Sequence, residues 1–305
     1  MYSARPEPTL PGYRSSAGRI SGRTHRPVMP SEVADFFRSI AGDGLLVDGT
    51  AGAGGHMALL LDACPESRLL GVERDPVAAA ALAERFKGEE RVTVRNASYT
   101  EIPAIIGGLG LGGASGALFD LGLSTLQLDD PARGFSHSSD GPLDMRFDQS
   151  SATTAADLVN GLSRRDLADI IYRYGEEGRS RRIADAIVEA RPLRSTTELA
   201  AVVSGSVRGN PVKVLSRVFQ ALRIAVNSEL DHLETLLESL PGWTVSGAGL
   251  ACITFHSLED RLIKTFFRDS PDFRPSSPPW ATATAEEISA NSRARSARLR
   301  TGVRL

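Results

Sequence analysis

The apolar run Leu45-Leu46-Val47, the glycine-spaced stretch Asp48–His56 (DGTAGAGGH) and the apolar run Met57–Leu61 follow one another without a gap. This order limits the fold more than any other feature of the chain, because it predicts a strand, a tight turn and a helix. Glycines in such a turn let the backbone pass close to a bound molecule and take conformations closed to residues with a Cβ. The dinucleotide fingerprint is absent: Gly-x-Gly-x-x-Gly read from Gly52 needs a glycine where Met57 stands.

The acidic form of the turn, Asp48-x-Thr50-x-Gly52-x-Gly54, fits better the first loop of enzymes that bind S-adenosylmethionine (AdoMet). Glu73 closes the next apolar run nineteen residues past Gly54, a spacing at which a carboxylate reaches the hydroxyls of a ribose. Four runs read as strands, Leu45–Val47, Leu69–Val72, Val92–Val94 and Ala117–Phe119, and 32–40, 55–63 and 76–87 read as the helices between them. That alternation predicts an α/β fold with a parallel sheet covered on both faces. Asp48, Glu73, Asn96–Tyr99 and Asp120 all fall at strand ends, where such sheets bind ligands.

Past residue 128 the strand pattern stops. Helical patches at 154–161, 164–174, 179–190 and 196–204 predict an all-helical domain over 128–212, inserted into a core made of 25–127 and 213–270. Leu215, Phe219, Leu222, Val226, Leu230, Leu233, Leu237 and Leu240 recur at steps of three or four and predict one long amphipathic helix. Leu250–Phe255 reads as a buried strand and 258–268 as a helix, with Ser257 and Asp260 either its capping residues or part of a site. Residues 271–305 read as an irregular Pro- and Ser-rich linker and an Arg-rich tail, and Ser277-Pro278-Pro279-Trp280 as part of that linker.

Charge divides the chain further. Its net charge is −2, yet residues 1–24 hold four arginines against one glutamate, and 289–305 hold five arginines and no acid. The middle is therefore about ten units negative, an arrangement that suits a polyanion met through the ends. Residues 1–24 have the composition of a disordered segment without a signal-peptide core. No apolar run suits a membrane span. Cys64 and Cys252 make no disulfide framework, which suits a reducing cytosol, and the scattered histidines give no metal-ligand spacing.

Longer strings carry a resemblance. Asp48–His56, Asp120–Gln127, Arg133–Ser136, Gly141–Arg146, Phe219–Leu230, Phe255–Phe267 and Asn291–Arg300 resemble the small-subunit (16S) ribosomal RNA (cytosine-N4)-methyltransferases, from about His25 to Arg300. The resemblance implies a Rossmann-like class I AdoMet-dependent methyltransferase core with an inserted helical domain. It also implies methyl transfer to the exocyclic amine of a cytidine in the decoding region, within an assembling small ribosomal subunit in the cytoplasm, and it allows a homodimer. Family AdoMet positions fall on Gly54, Gly55, His56, Glu73, Tyr99, Asp120 and Gln127, to which the turn itself adds Asp48 and Gly52. The family usually has Asp where Glu73 stands and often Phe where Tyr99 stands.

A cytosine amine is a weak nucleophile because its lone pair is conjugated into the ring. It has to be held against the methyl and relieved of a proton. Asp120 is the expected acceptor, with Ser124 and His256 nearby. Asp144 and Arg146 are expected to position the base or a phosphate, and Arg293, Arg295 and Arg298 to meet the RNA backbone. Two other readings stay open on the residues alone: an RNA-binding assembly factor without catalysis, and an NAD-type oxidoreductase.

Overall fold

The computed structural model describes residues 26–305, so the expected disordered segment 1–24 lies outside the described residues. Helix α1 (Pro30–Arg38) leads into β1 (Leu45–Asp48), α2 (Gly55–Ala63), β2 (Arg68–Glu73), α3 (Pro76–Arg85), β3 (Val92–Asn96), α4 (Ile102–Gly108) and β4 (Ala114–Asp120). Next come α5 (Thr125–Asp129), α6 (Ala155–Gly161), α7 (Arg164–Gly175), α8 (Ser180–Glu189), α9 (Thr196–Ser206), α10 (Pro211–Asn227) and α11 (Glu229–Trp243). The chain then forms β5 (Thr244–Thr254), α12 (Ser257–Asp269), β6 (Phe273–Pro275), β7 (Ala281–Thr282), α13 (Ala285–Ala290) and β8 (Arg298–Arg304).

One sheet of eight strands runs β3-β2-β1-β4-β5-β8-β6, with β7 also on β8. The strands from β3 through β5 are parallel, and β8 enters antiparallel to β5. After β1 the chain crosses to β2 on one side, and β4 returns on the other. The sheet therefore splits its connections beside β1, and the crevice at such a switch point is where an open α/β sheet takes its ligand. This is the Rossmann-like α/β core that the resemblance implied.

Strand alternation sets the two faces. Leu46 packs with Val33, Phe37, Met57 and Leu60 on one side. Leu45 and Val47 pack on the other with Ile102, Ile106, Leu236 and Leu240. A third apolar cluster belongs to the helices that follow β4, including Val159, Leu167, Ile171, Ile183, Ile187 and Leu199.

The structure departs from the expected pattern in two places. The predicted long helix is two helices, broken at exposed Ser228, whose φ of 50° lies in the left-handed region. Val214, Leu215, Val218, Phe219 and Leu222 of α10 join the helical cluster, so the helical lobe runs on to Asn227 and does not stop at 212. Leu233, Leu236, Leu237 and Leu240 of α11 cover the sheet. Residues 271–305 are not an irregular tail either. Strand β8 lies between β5 and β6, and its Leu299 is buried. Among the described residues, no helix is long and apolar enough to cross a membrane.

Candidate active site

The turn after β1 builds the floor of the site. Gly52 has φ 51° and Gly54 φ 77°, and a Cβ on Gly54 would come within 2.6 Å of Leu82. Gly52 is favoured by its left-handed φ alone, and Gly54 by its φ together with the close approach of α3. Glu73, at the end of β2, accepts from the Gly52 amide through Oε2 and from the Asp75 amide through Oε1, each at 2.8 Å. A carboxylate has further lone pairs, so these bonds aim it while leaving capacity for a ribose diol. The longer Glu arm is accommodated by this bracing.

Thr50 ties β1 to β4: its amide donates to Asp48 Oδ1, and its hydroxyl accepts from the Asp120 amide at 2.6 Å. Asp48 Oδ2 and Asp120 Oδ1 are buried, with no hydrogen-bond partner among the described residues. Burial pushes the Asp48 and Glu73 carboxyls up to about 6 each, and it raises that of Asp120 as well. His56, in the first turn of α2, places Nε2 2.9 Å from the Val28 carbonyl. A carbonyl only accepts, so Nε2 carries a proton, and in the neutral ring Nδ1 is left as an acceptor. That Nδ1 faces Asp120 Oδ2 at 3.7 Å.

Gly52, Gly55, His56, Glu73, Tyr99, Asp120, Ser124 and Gln127 all line one cleft. Asp48, buried at the end of β1, and Gly54, which caps α2, are not among the residues that line it. Tyr99 meets Phe119 edge-on, with ring centroids 6.0 Å apart, and presents an aromatic wall. Its phenol is pushed up by burial. Ser124 caps α5: its hydroxyl accepts from the Gln127 amide, and Gln127 Oε1 accepts from the Ser124 amide. Gln127 Nε2 also points to Asp75, which holds Arg133 at 2.5 Å. Arg133 donates to the carbonyls of Arg146 and Phe147, so one buried ion pair fastens the start of the helical lobe to the cleft.

The other expected residues lie elsewhere. Asp144 and Arg146 pair with each other at 2.7 Å, and Arg146 also donates to the carbonyls of Gln149 and Ser151, bracing the loop before α6. Arg293 is half-buried, 3.6 Å from Asp129 and close enough to Asp120 to feel its charge. Arg295 is exposed, and Arg298 pairs with Asp260 at 2.6 Å. His256 sits at the end of β5 and itself caps α12: Nδ1 accepts from the Glu259 amide, and Glu259 Oε2 accepts from the Phe255 and His256 amides. The cap is thus His256 with Glu259, one residue ahead of the expected Ser257 with Asp260.

Several residues of the cleft escaped the sequence reading. Arg74, Phe147, Glu229, His232 and Glu259 complete its walls. Glu229 binds Arg223 through both oxygens at 2.8 Å, and burial raises its carboxyl. Glu229, His256 and Glu259 bring ligand atoms within 4.8 Å of one another, a grouping that histidine spacing alone could not show. Their groups already serve each other and Arg223: His256 Nε2 stands 3.1 Å from Glu259 Oε1, though off the line of a good hydrogen bond. Glu229 lies in the Phe219–Leu230 string and Glu259 in Phe255–Phe267, yet neither string shows that its carboxylate faces the cleft.

Buried carboxylate oxygens without donors are costly unless a ligand supplies donors or positive charge. The cleft therefore suits a cationic, hydroxyl-bearing molecule with an aromatic end, and AdoMet has all three properties.

Comparison with known proteins agrees. Residues 22–304 match the MraW methylase family. The "Ribosomal RNA small subunit methyltransferase H" of Coprothermobacter proteolyticus is 44% identical over 285 residues, covering 90% of this chain and 94% of that protein. The protein of the same name from Sorangium cellulosum is 44% identical over 294 residues, covering 94% and 93%. Among solved structures, an rRNA methylase from Streptococcus thermophilus aligns with a TM-score of 0.43 and 10% identity, over 90% of this chain and 95% of that one. The family match spans nearly every described residue, the cleft included, and this chain belongs to the MraW methylase family.

Proposed function

We propose that the chain is an AdoMet-dependent methyltransferase acting on the exocyclic N4 amine of a cytidine in the decoding region of 16S rRNA, within assembling small subunits in the cytoplasm. The observation that carries this reading is the cleft at the ends of β1, β2 and β4, in a chain about as similar over its length to several rRNA small-subunit methyltransferases. Glu73 would take the ribose hydroxyls, Tyr99 the adenine face, and the turn Gly52–Gly55 the amino-acid end. AdoMet, when bound, supplies an electrophilic methyl group on a sulfonium.

Asp120 then acts on the acceptor. Its Oδ1 has no donor among the described residues, and burial raises its proton affinity. Both properties suit a group that accepts a hydrogen bond from the amine and takes its proton as the new N–C bond forms. His56 Nδ1 is a second resting place for that proton, because Nε2 is committed to Val28. His256 and Glu259 shape the wall where β5 ends, and the Ser124 hydroxyl holds α5 in place. Asp120→Asn should lower kcat about 100-fold or more. His256→Ala should lower it less, through the displaced Glu259. Turnover at the parent rate in Asp120→Asn, measured with labelled AdoMet, would remove Asp120 from this role.

A further inference from the structure

A second concavity lies at His256, between the start of α12 and the segment leading into β8. Its walls bring together Arg261, Lys264 and Arg298 with the hydroxyls of Ser257 and Ser296. Glu176 pairs with Arg261, and Asp260 is shared by Arg298 and Arg300. Exposed Lys264 has no acidic partner among the described residues, so the groove remains net positive on a chain whose net charge is −2.

Trp280 stands beside this groove. The Arg298 guanidinium lies 4.8 Å from its ring centroid, and the residue is 45% exposed, whereas the chain's other tryptophan, Trp243, is buried. The ring is not on a loose linker: β7 begins at the next residue and pairs with Leu299 and Arg298 of β8. His256 lines this groove, and Glu259, three residues along, lines the cofactor cleft, so the two concavities meet at the end of β5.

We propose that this groove holds single-stranded RNA beside the target nucleotide, with a base stacked on Trp280 and phosphates against Lys264, Arg261 and Arg298. Cations that track a backbone next to a fixed aromatic face are what an unpaired strand needs, and bases locked in a duplex offer no free face. The inference rests on the rRNA reading for the identity of the strand, and it assigns a role to the one exposed tryptophan.

The test uses the purified chain and an end-labelled oligocytidylate of about 12 residues, within the site sizes usual for single strands. Binding is followed by anisotropy and, separately, by tryptophan emission. The oligonucleotide should quench the parent. Trp280→Phe should lose the quenching, and Trp280→Ala should bind about tenfold more weakly. Lys264→Ala should keep the quenching while its salt slope falls by about 0.7. All three variants should bind AdoMet like the parent, and Trp280→Ala should raise KM for small subunits with kcat near normal. Binding without quenching, or unchanged affinity in Trp280→Ala together with an unchanged salt slope in Lys264→Ala, would overturn the proposal. Quenching by the oligonucleotide in a chain that leaves small-subunit RNA unmethylated would support the groove and defeat the rRNA reading.

Discussion

Asp48 and Glu73 show what the cleft asks of single residues. Each carboxyl is raised to about 6, by burial first of all. The folded chain therefore binds these protons more tightly than the unfolded chain, whose carboxyls titrate near about 4. Their favourable contribution is fully present below about pH 4 and is lost as pH rises through about 6. Asp48→Asn carries no such charge, so in the absence of AdoMet its melting temperature should gain on that of the parent between these two pH values. Scanning calorimetry across that range measures the difference, and a constant gap would contradict the assigned cause. AdoMet affinity should fall in the same variant. The carboxylates at strand ends were legible in the sequence because apolar runs end on them. Glu229 and Phe147 were not, since each reaches the cleft from a distant helix or loop.

At the scale of elements, the break at Ser228 is the clearest limit on pattern reading. The apolar stripe continues in step from Leu215 to Leu240, with no glycine or proline at the break itself. Only tertiary contacts reveal it: α10 turns its stripe to the helical lobe and α11 turns its own to the sheet. Asn227 secures the corner, donating to the Met145 carbonyl and accepting from the Phe147 amide. A left-handed backbone costs a side-chain-bearing residue about 1–2 kcal/mol, and more when it is β-branched. Ser228→Gly should therefore leave stability equal or up to about 1 kcal/mol higher. Ser228→Val should lower it by about 1–2 kcal/mol, read by urea unfolding. The α12 cap teaches a related point. Strand β5 ends at Thr254 and His256 is extended, so the cap falls one residue before the serine that composition favours.

For the whole molecule, the arginine-rich end is architecture as well as charge. Arg298 and Arg300 converge on Asp260, Arg304 donates to the Thr244 carbonyl, and β8 supplies the outer partner for Gly249–Thr254 of β5. Trimming residues 298–305 would strip that edge, so the cut chain should lose cooperative unfolding altogether; removing phosphate contacts alone would leave it intact. Asp260→Ala should cost about 3 kcal/mol by leaving two guanidinium groups without their acid. Between residues 30 and 120 the four parallel strands and the helices α1, α2 and α3 were readable because each announces itself locally, whereas the short α4 was not. The end of the chain was not, because β8 becomes a strand through pairing with β5, and its charged positions hide that role. The central claim concerns the whole assembly of cleft, groove and acceptor. Small subunits from cells lacking this enzyme, incubated with the purified chain and methyl-labelled AdoMet, should yield label in N4-methylcytidine on nucleoside mass spectrometry. Label on a ring carbon, a ribose or another base, or no label at all, would contradict the account.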